Sequence, residues 1–390
     1  MTERTIHILP EQVASQIAAG EVVERPASAL KELVENSIDA GAHSIDVKIE
    51  RGGAGLIAVS DDGCGMGRED AILALRRHAT SKIRDASDLG AIHTLGFRGE
   101  ALAAIASVAR LRMRTRRADA AEGVELVAES GDIIETRACA MAPGTQIEVR
   151  DLFFNTPARL KFLKTQTTEQ TAAAEAVQRL ALSSPRLAFT LAAEGRIVLE
   201  AVRTASTLER VRQLFGPRIA DRMLSFEASI AGMRATGLAA SSQESYPTPR
   251  LLLTFVNHRS VRDRALIRAV TQAYQTVIPR GRYPAVVLFL EMSPQEVDVN
   301  VHPMKTEVRF RRSGAVFELV HHALRARIAD QAETAPVVAA VAVARGSEPA
   351  QAPSPPSVGD RARSPVGYPP ERPLRLIANG MPLRTQQAPL

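Results

Sequence analysis

No tryptophan occurs among the 390 residues, and phenylalanine and tyrosine together supply only 4% of them. Proteins that hold single-stranded bases do so on aromatic platforms, so base stacking is not the main business of this chain. Cysteine is almost as scarce. Cys64 and Cys139 are the only two, which excludes a disulfide framework and a cysteine-based zinc site, and the eight histidines fall into no ligand spacing. A reducing, cytoplasmic setting is expected. No apolar run approaches the ~18 residues that cross a bilayer, and no basic segment followed by an apolar core opens the chain, so neither a membrane span nor secretion is expected. A large excess of one charge is also missing: 49 Lys and Arg against 43 Asp and Glu leave +6, which permits a polyanionic partner without requiring one. Apolar residues are plentiful at 45%, enough to bury the cores of two or three domains.

Helix breakers are absent from the interior of PASALKELVENSIDAG at residues 26–41, where Pro26 suits a first helical turn and Gly41 a C-cap. At about 100° per residue, Leu30, Leu33, Val34, Ser37 and Ile38 share one side, and Glu32, Asn36 and Asp39 cluster opposite. The result is an amphipathic helix showing two carboxylates and a carboxamide together. A plain solvated face has the same look, and only the rest of the chain gives these residues weight.

SIDVKIE at 44–50 alternates and residues 56–60 return, an antiparallel hairpin set against that helix. The second strand ends in DDGCGMG at 61–67, whose glycines leave the backbone bare beside Asp61. An ionised Asp61 only accepts hydrogen bonds, so it suits the amino group of a base whose flat ring lies along the glycines, although a simple turn needs the same residues. Cys64 reads as a small filler. Residues 69–78 read as a helix, and Thr80, Ser81 and Lys82 after it offer two hydroxyls and an ammonium to phosphate oxygens. LGFRGEAL at 95–102 opens a helix with two glycines three apart, which frees backbone N–H groups to wrap an anion. It is not a Walker A loop, because no Gly-Lys-Ser/Thr follows.

RLRMRTRR at 110–117 sets Arg110, Arg112, Arg114 and Arg116 on one side of a strand, either a solvated sheet face or a stripe for nucleic acid. Residues 124–128, 133–138 and 145–149 extend the sheet, Pro157 starts a helix, and an alanine-rich helix follows at about 169–181. At Pro185 the pattern changes to that of a second domain. It holds a hairpin at 187–192 and 196–200, a helix at 208–215, an apolar strand at 251–256 and a helix within 260–274. In that helix Leu266, Ile267, Val270, Ala273 and Tyr274 face inward and Arg264 and Arg268 outward. A strand at 285–292 and VDVNV at 297–301, running into His302-Pro303-Met304-Lys305, precede a closing helix at about 314–329. Eleven of the 23 prolines crowd into 331–390 among alanine, serine and glutamine, a composition expected of a disordered tail or linker.

Taken together and in order, ELVENSIDAGA (32–42), DDGCGMG (61–67), RHATSKI (77–83), GFRGEAL (96–102), NTPAR (155–159) and VNVHPMKTEVRF (299–310) closely resemble the N-terminal ATPase region of the MutL mismatch-repair family. The likeness runs from about residue 6 to residue 329. The first, second and fourth blocks occur in looser form in gyrase, heat-shock chaperones and histidine kinases, whereas GFRGEAL, NTPAR and DVNVHPMK point to MutL. One departure is Asp62, where the family often has Asn.

The resemblance implies an α+β protein: a two-layer α/β sandwich ATPase domain over 1–184, a smaller α/β domain over 185–332 like the second domain of gyrase and of ribosomal proteins, and a disordered tail over 333–390. It implies ATP and Mg²⁺ as cofactors. Glu32 becomes the general base that activates water, and Asn36 the Mg²⁺ ligand. Asp61 reads the adenine amino group, supported by Thr145, with Gly65 and Met66 at the same end. Thr80, Ser81 and Lys82, with Gly96, Phe97, Arg98, Gly99, Glu100, Ala101 and Leu102, form a lid over the phosphates. Lys305 reaches the terminal phosphate from the second domain. Arg264, with Arg262 and Arg268 around it, takes the DNA-contact position.

The function so implied is slow ATP hydrolysis driving closure and dimerisation. The closed form binds DNA and couples the mismatch-recognition protein MutS to a downstream nuclease or helicase. A topoisomerase ATPase subunit and a non-hydrolysing ATP-binding scaffold are the rival readings; a scaffold needs no carboxylate at Glu32. The Asp-Gln-His-Ala stretch of the nicking MutL proteins is absent, so no nuclease is expected in this sequence.

Overall fold

Pro26 occupies the first turn of helix α1 (Pro26–Asp39), and Gly41, at φ 72°, takes the left-handed conformation that ends it. Leu30, Leu33 and Val34 are buried, as the periodicity required. The computed structural model describes residues 16–17, 19–20, 22–82, 94–96, 99–241, 244–298 and 308–334. The Pro-rich stretch at 331–390 therefore lies largely outside the described residues.

Strands β1 (Ser44–Glu50) and β2 (Leu56–Asp61) pair antiparallel with Val47 opposite Val59, and their alternate residues enter the core beneath α1. Strands β3 (Arg110–Arg116), β4 (Gly123–Glu129), β5 (Asp132–Cys139), β6 (Gly144–Arg150), β7 (Ala188–Ala193) and β8 (Arg196–Ala201) complete an eight-stranded sheet in the order β5-β4-β3-β6-β2-β1-β7-β8. Helix α2 (Arg68–Ala74) follows β2, α3 (Ala101–Ser107) precedes β3, and α4 (Pro157–Phe162) begins at Pro157 as expected. Helix α5 (Gln166–Ser183) lies beside α1, and Ala173, Val177 and Leu180 join the α1 leucines and the inward faces of β1 and β2 in one core. This is a two-layer α/β sandwich.

The sequence pattern put the 187–200 hairpin in the second domain. In the structure β7 runs parallel to β1, Ser44 beside Ala188, and the hairpin finishes the first sheet. The physical reason is its apolar face: Phe189, Leu191 and Ala193 are buried in the core that α1 and α5 cover. Arg210 of α6 (Thr207–Phe215) fastens this corner. It is completely buried, and its Nη2 donates to the carbonyls of Pro185, Leu187 and Val202 at 2.6 to 3.1 Å. Burial pushes its pKa down to about 10.

The second sheet has the order β12-β11-β13-β10-β9, built from β9 (Met223–Ile230), β10 (Met233–Ala240), β11 (Leu252–Val256), β12 (Arg259–Val261) and β13 (Val286–Glu291). Helices α7 (Arg264–Tyr274) and α8 (Ser313–Thr334) pack on it through Leu266, Val270, Tyr274, Val316 and Val320. A short ladder joins β14 (Val297–Asp298) to β15 (Arg309–Phe310).

Two local readings need correcting, and one hairpin went unread. The helix expected over 69–78 stops at Ala74, and the chain turns away with His78 at φ 64°. The helix sought within 260–274 begins at Arg264, because Ser260 pairs with Phe255 in β12 and Asp263 caps the helix by accepting from the Ala265 and Leu266 amides at 2.8 and 3.0 Å. The β9–β10 hairpin carried no clear signal, since serine, alanine and glycine dilute the alternation in MLSFEASI and MRATGLAA.

Candidate functional site

The polar face of α1, the turn after β2, residues 78–82, the loop leading into α3, and β6 enclose a cavity of about 940 Å³. Asp61 closes β2 at one end of it. Its Oδ2 accepts from Ser37 Oγ at 2.7 Å and its Oδ1 from the Gly63 amide at 3.0 Å. Burial raises the Asp61 pKa above the usual carboxylate range, against the opposing hydrogen bonds from Ser37, Gly63 and Thr145. Thr145 stands beside it on β6, its Oγ1 3.0 Å from Thr115 Oγ1, which in turn accepts from the Met66 amide at 2.9 Å. Gly65 is obligatory here. At φ 62° its chain lies so close to β3 that a Cβ would collide with the Arg116 carbonyl. This end is a fixed acceptor beside a bare backbone and two threonines.

Glu32 and Asn36, one turn apart on α1, line the same cavity. Glu32 Oε1 lies 3.7 Å from Lys31 Nζ, which is 3.0 Å from Glu35 Oε1. Burial works to lower the Lys31 pKa, but the Glu35 and Glu32 carboxylates outweigh it and leave the pKa raised. Asn36 Oδ1 accepts from Lys82 Nζ at 2.8 Å, and the same ammonium donates to Asp39 Oδ2 at 2.5 Å. Asp39 also gathers the start of the glycine loop, accepting from the Leu95 and Gly96 amides at 2.9 and 3.0 Å. Thr80, Ser81, Gly96, Gly99, Glu100, Ala101 and Leu102 stand on the wall around this end. At Gly99, φ 63°, a Cβ would meet the Ala79 carbonyl oxygen at 2.5 Å, so glycine lets the loop lie against residues 79–80.

The structure thus brings Glu32, Asn36, Asp61, Gly65, Met66, Thr145, Thr80–Lys82 and five members of the 96–102 loop around one cavity. Lys305, Phe97 and Arg98 lie outside the described residues. Arg262, Arg264 and Arg268 do not line the cavity; they are exposed at and before the start of α7. Cys64 is not a filler, since it is exposed on the cavity wall. The added charge of Asp62 faces solvent, where its Oδ1 accepts from the His43 and Ser44 amides at 2.6 and 2.9 Å, and its pKa is lowered. The arginine stripe of β3 is largely neutralised. Arg112, Arg114 and Arg137 surround Glu125, and Arg110 pairs with Asp151 and Glu129. The solvated-face reading fits that pairing.

Sequence reasoning missed three contributors. Ser37 was counted with the apolar side of the helix, yet it orients Asp61. Asp39 was seen on the polar face without a task. Arg259 had no signal in the sequence, although its Nη2 donates to the Thr94 carbonyl at 2.5 Å on the cavity wall.

Two family models match. The histidine kinase-, DNA gyrase B- and HSP90-like ATPase model covers residues 24–133, and the C-terminal domain model of DNA mismatch repair proteins covers residues 211–329. A MutL protein of Geobacter sulfurreducens is 52% identical over 319 residues, 82% of this chain and 52% of the relative. One from Anaeromyxobacter dehalogenans is 50% identical over 317 residues, 81% and 52% of the two chains. The chain spans about half the length of these curated relatives. Among solved structures, the Aquifex aeolicus MutL ATPase domain complexed with ADP is 30% identical with a TM-score of 0.56, over 77% of this chain and 98% of that one. The N-terminal domain of a DNA repair protein superimposes with a TM-score of 0.71 at 25% identity, over 82% and 99%. With four of the six sequence blocks contributing to one cavity and relatives matching over about four-fifths of the chain, the chain belongs to the MutL family of DNA mismatch-repair proteins.

Proposed function

We propose that this chain is the nucleotide-operated portion of a mismatch-repair protein, binding and slowly hydrolysing Mg-ATP in the cavity beneath α1. The observation that carries the reading is one cavity with Asp61 fixed at one end and Glu32 and Asn36 presented by a single helix at the other. A carboxylate already bound to Ser37 and Gly63 is held in place to accept from an adenine amino group, and Thr145 supports it. Burial of Asp61 costs stability that a nucleotide amino group would restore.

Phosphoryl transfer to water needs positioning and charge neutralisation more than covalent chemistry. Glu32 orients the attacking water and takes its proton. Thr80, Ser81 and Lys82, with residues 96–102, cover the phosphates, and Lys305 reaches the terminal one. Asn36 suits Mg²⁺ of the kind that keeps several waters and leans on phosphate oxygens, since its Oδ1 already attracts a cation and no carboxylate cage is needed. Bound there, the metal would neutralise phosphate charge. Lys82 must leave Asn36 as that happens, which frees its ammonium for phosphate.

On this reading the first sheet carries the site, Lys305 comes from the chain between β14 and β15, and the start of α7 carries the DNA-facing Arg262, Arg264 and Arg268. Nucleotide closes the lid, two copies associate, and the closed form grips DNA in the cytoplasm and signals from a MutS-type mismatch sensor to a nuclease or helicase. Glu32→Ala should bind Mg-ATP, close and dimerise, yet turn over ~10²- to 10⁴-fold more slowly. Asn36→Ala should lose affinity and dimerisation as well. Equilibrium binding, gel filtration with a non-hydrolysable analogue and single-turnover rates on both variants test this. A Glu32→Ala protein that hydrolyses ATP at the wild-type rate would sink the reading.

A further inference from the structure

Arg259 stands on β12 of the second sheet, yet its guanidinium reaches the wall of the nucleotide cavity. It is 8% exposed, and its Nη2 donates to the Thr94 carbonyl at 2.5 Å. Thr94 is where the glycine loop begins. Its Oγ1 donates to the Gly96 carbonyl at 2.6 Å, while the next two amides, Leu95 and Gly96, donate to Asp39. The start of the loop is therefore held from two sides, its N–H groups by a carboxylate of α1 and its carbonyl by a cation of the second sheet.

The charges around Arg259 also belong to the nucleotide site. Glu35, Asp39 and Glu32 of α1 face it attractively, with Lys31 beside them. Burial lowers its pKa and the three carboxylates oppose that, but a guanidinium stays charged throughout the working range of the protein. A buried cation is costly unless something holds it, and here the holders lie on the other sheet's side of the cavity.

We propose that Arg259 is a positioning residue: a latch through which the second sheet holds the Thr94 carbonyl and, with it, the Leu95 and Gly96 amides at the start of the phosphate loop. Its effect on nucleotide rests on the ATPase reading above; its effect on the loop does not. Lysine keeps the charge but has a shorter reach and no planar fork, so Arg259→Lys should retain the fold and lose the latch.

The test uses the full chain. In the nucleotide-free protein, the Leu95 and Gly96 amides of Arg259→Lys should exchange with deuterium about tenfold faster than in the wild type, as expected for losing one charge-assisted hydrogen bond, while amides of β13 keep their protection. A non-hydrolysable ATP analogue should then bind about tenfold more weakly and ADP within about twofold of wild type, since only the former needs the loop fully placed. Unchanged exchange at Leu95 and Gly96 in the folded variant overturns the latch. Equal losses for ADP and the analogue overturn the link to the terminal phosphate. Should wild-type protein bind no nucleotide at all, the ATPase reading falls, while the exchange result still decides the latch. Arg259→Met, which fills the same volume without charge, should show the same fast exchange. Loss of cooperative melting in both variants would make Arg259 a core residue and overturn the proposal.

Discussion

Asp61 and Asp62 are adjacent and chemically identical, yet their environments push them apart. Burial raises the pKa of Asp61, whereas two backbone amides lower that of exposed Asp62. A folded pKa above the unfolded one means that the folded state binds the proton more tightly, so ionising Asp61 subtracts stability as pH rises past the ordinary carboxylate value. Asp62 has the opposite sign: its contribution is present above the unfolded value and fades as pH falls through the lowered one. Asp61→Asn should therefore melt at a higher temperature than wild type at pH 7, because Ser37 Oγ has a second acceptor in the Leu33 carbonyl at 3.3 Å. On the proposed reading, in which Asp61 is the charged acceptor for adenine, it should also bind ATP about 10- to 100-fold more weakly. Calorimetric melts and equilibrium binding at pH 7 measure both, and a variant that is less stable and binds normally would refute the assignment. Glu32, Asn36 and Asp61 drew notice in the sequence as polar residues on one helix face and at a strand end, the family blocks around them gave them weight, and the structure brings them to one cavity. Ser37 drew none, since a small hydroxyl on an apolar face passes for filler. Arg259 was hidden by distance, being 165 positions from the carbonyl it holds.

Elements were legible in proportion to their burial. α1, β1 and β6 came out within a residue or two, because each has one face in the core and a glycine or proline at its edge. β12 was absorbed into the following helix, and β9 and β10 went unread, for want of strong alternation. Helix α7 divides its two faces. Its buried stripe of Leu266, Ala269, Val270, Ala273 and Tyr274 locks it to the second sheet, leaving Arg264 and Arg268 exposed with Arg262 just before them. Among the described residues these three cations form no ion pair, unlike the β3 arginines around Glu125. Arg264→Glu should accordingly weaken binding to duplex DNA and flatten the log K against log salt slope by about one unit, with ATP affinity unchanged. A salt titration by fluorescence anisotropy reads this directly; equal slopes for variant and wild type would remove Arg264 from the interface.

At the scale of the whole molecule, the sequence conveyed two α/β bodies but put the change between them too early. The pattern at Pro185 was real, a break between α5 and the next strand, but a break in local pattern carries no information about which distant strand the chain will join. The parallel register of β7 on β1 is a long-range fact. It predicts that a fragment ending at residue 184 leaves the edge of β1 bare, with its N–H and C=O groups and the apolar core behind it uncovered. Such a fragment should aggregate and lack a cooperative melt in light scattering and differential scanning calorimetry. A soluble fragment with a sharp melt would show that β7 and β8 are dispensable.

The same pairing sets a timetable during synthesis. β1 leaves the ribosome 138 residues before β7 begins, counting from Glu50 to Ala188, and at ~5–20 residues per second that gap lasts on the order of ten seconds. Throughout it β1 has β2 on one side and open backbone on the other. The nascent chain therefore passes through an interval in which its own central strand is a template for misjoining, and the β7–β8 hairpin ends that interval when it arrives.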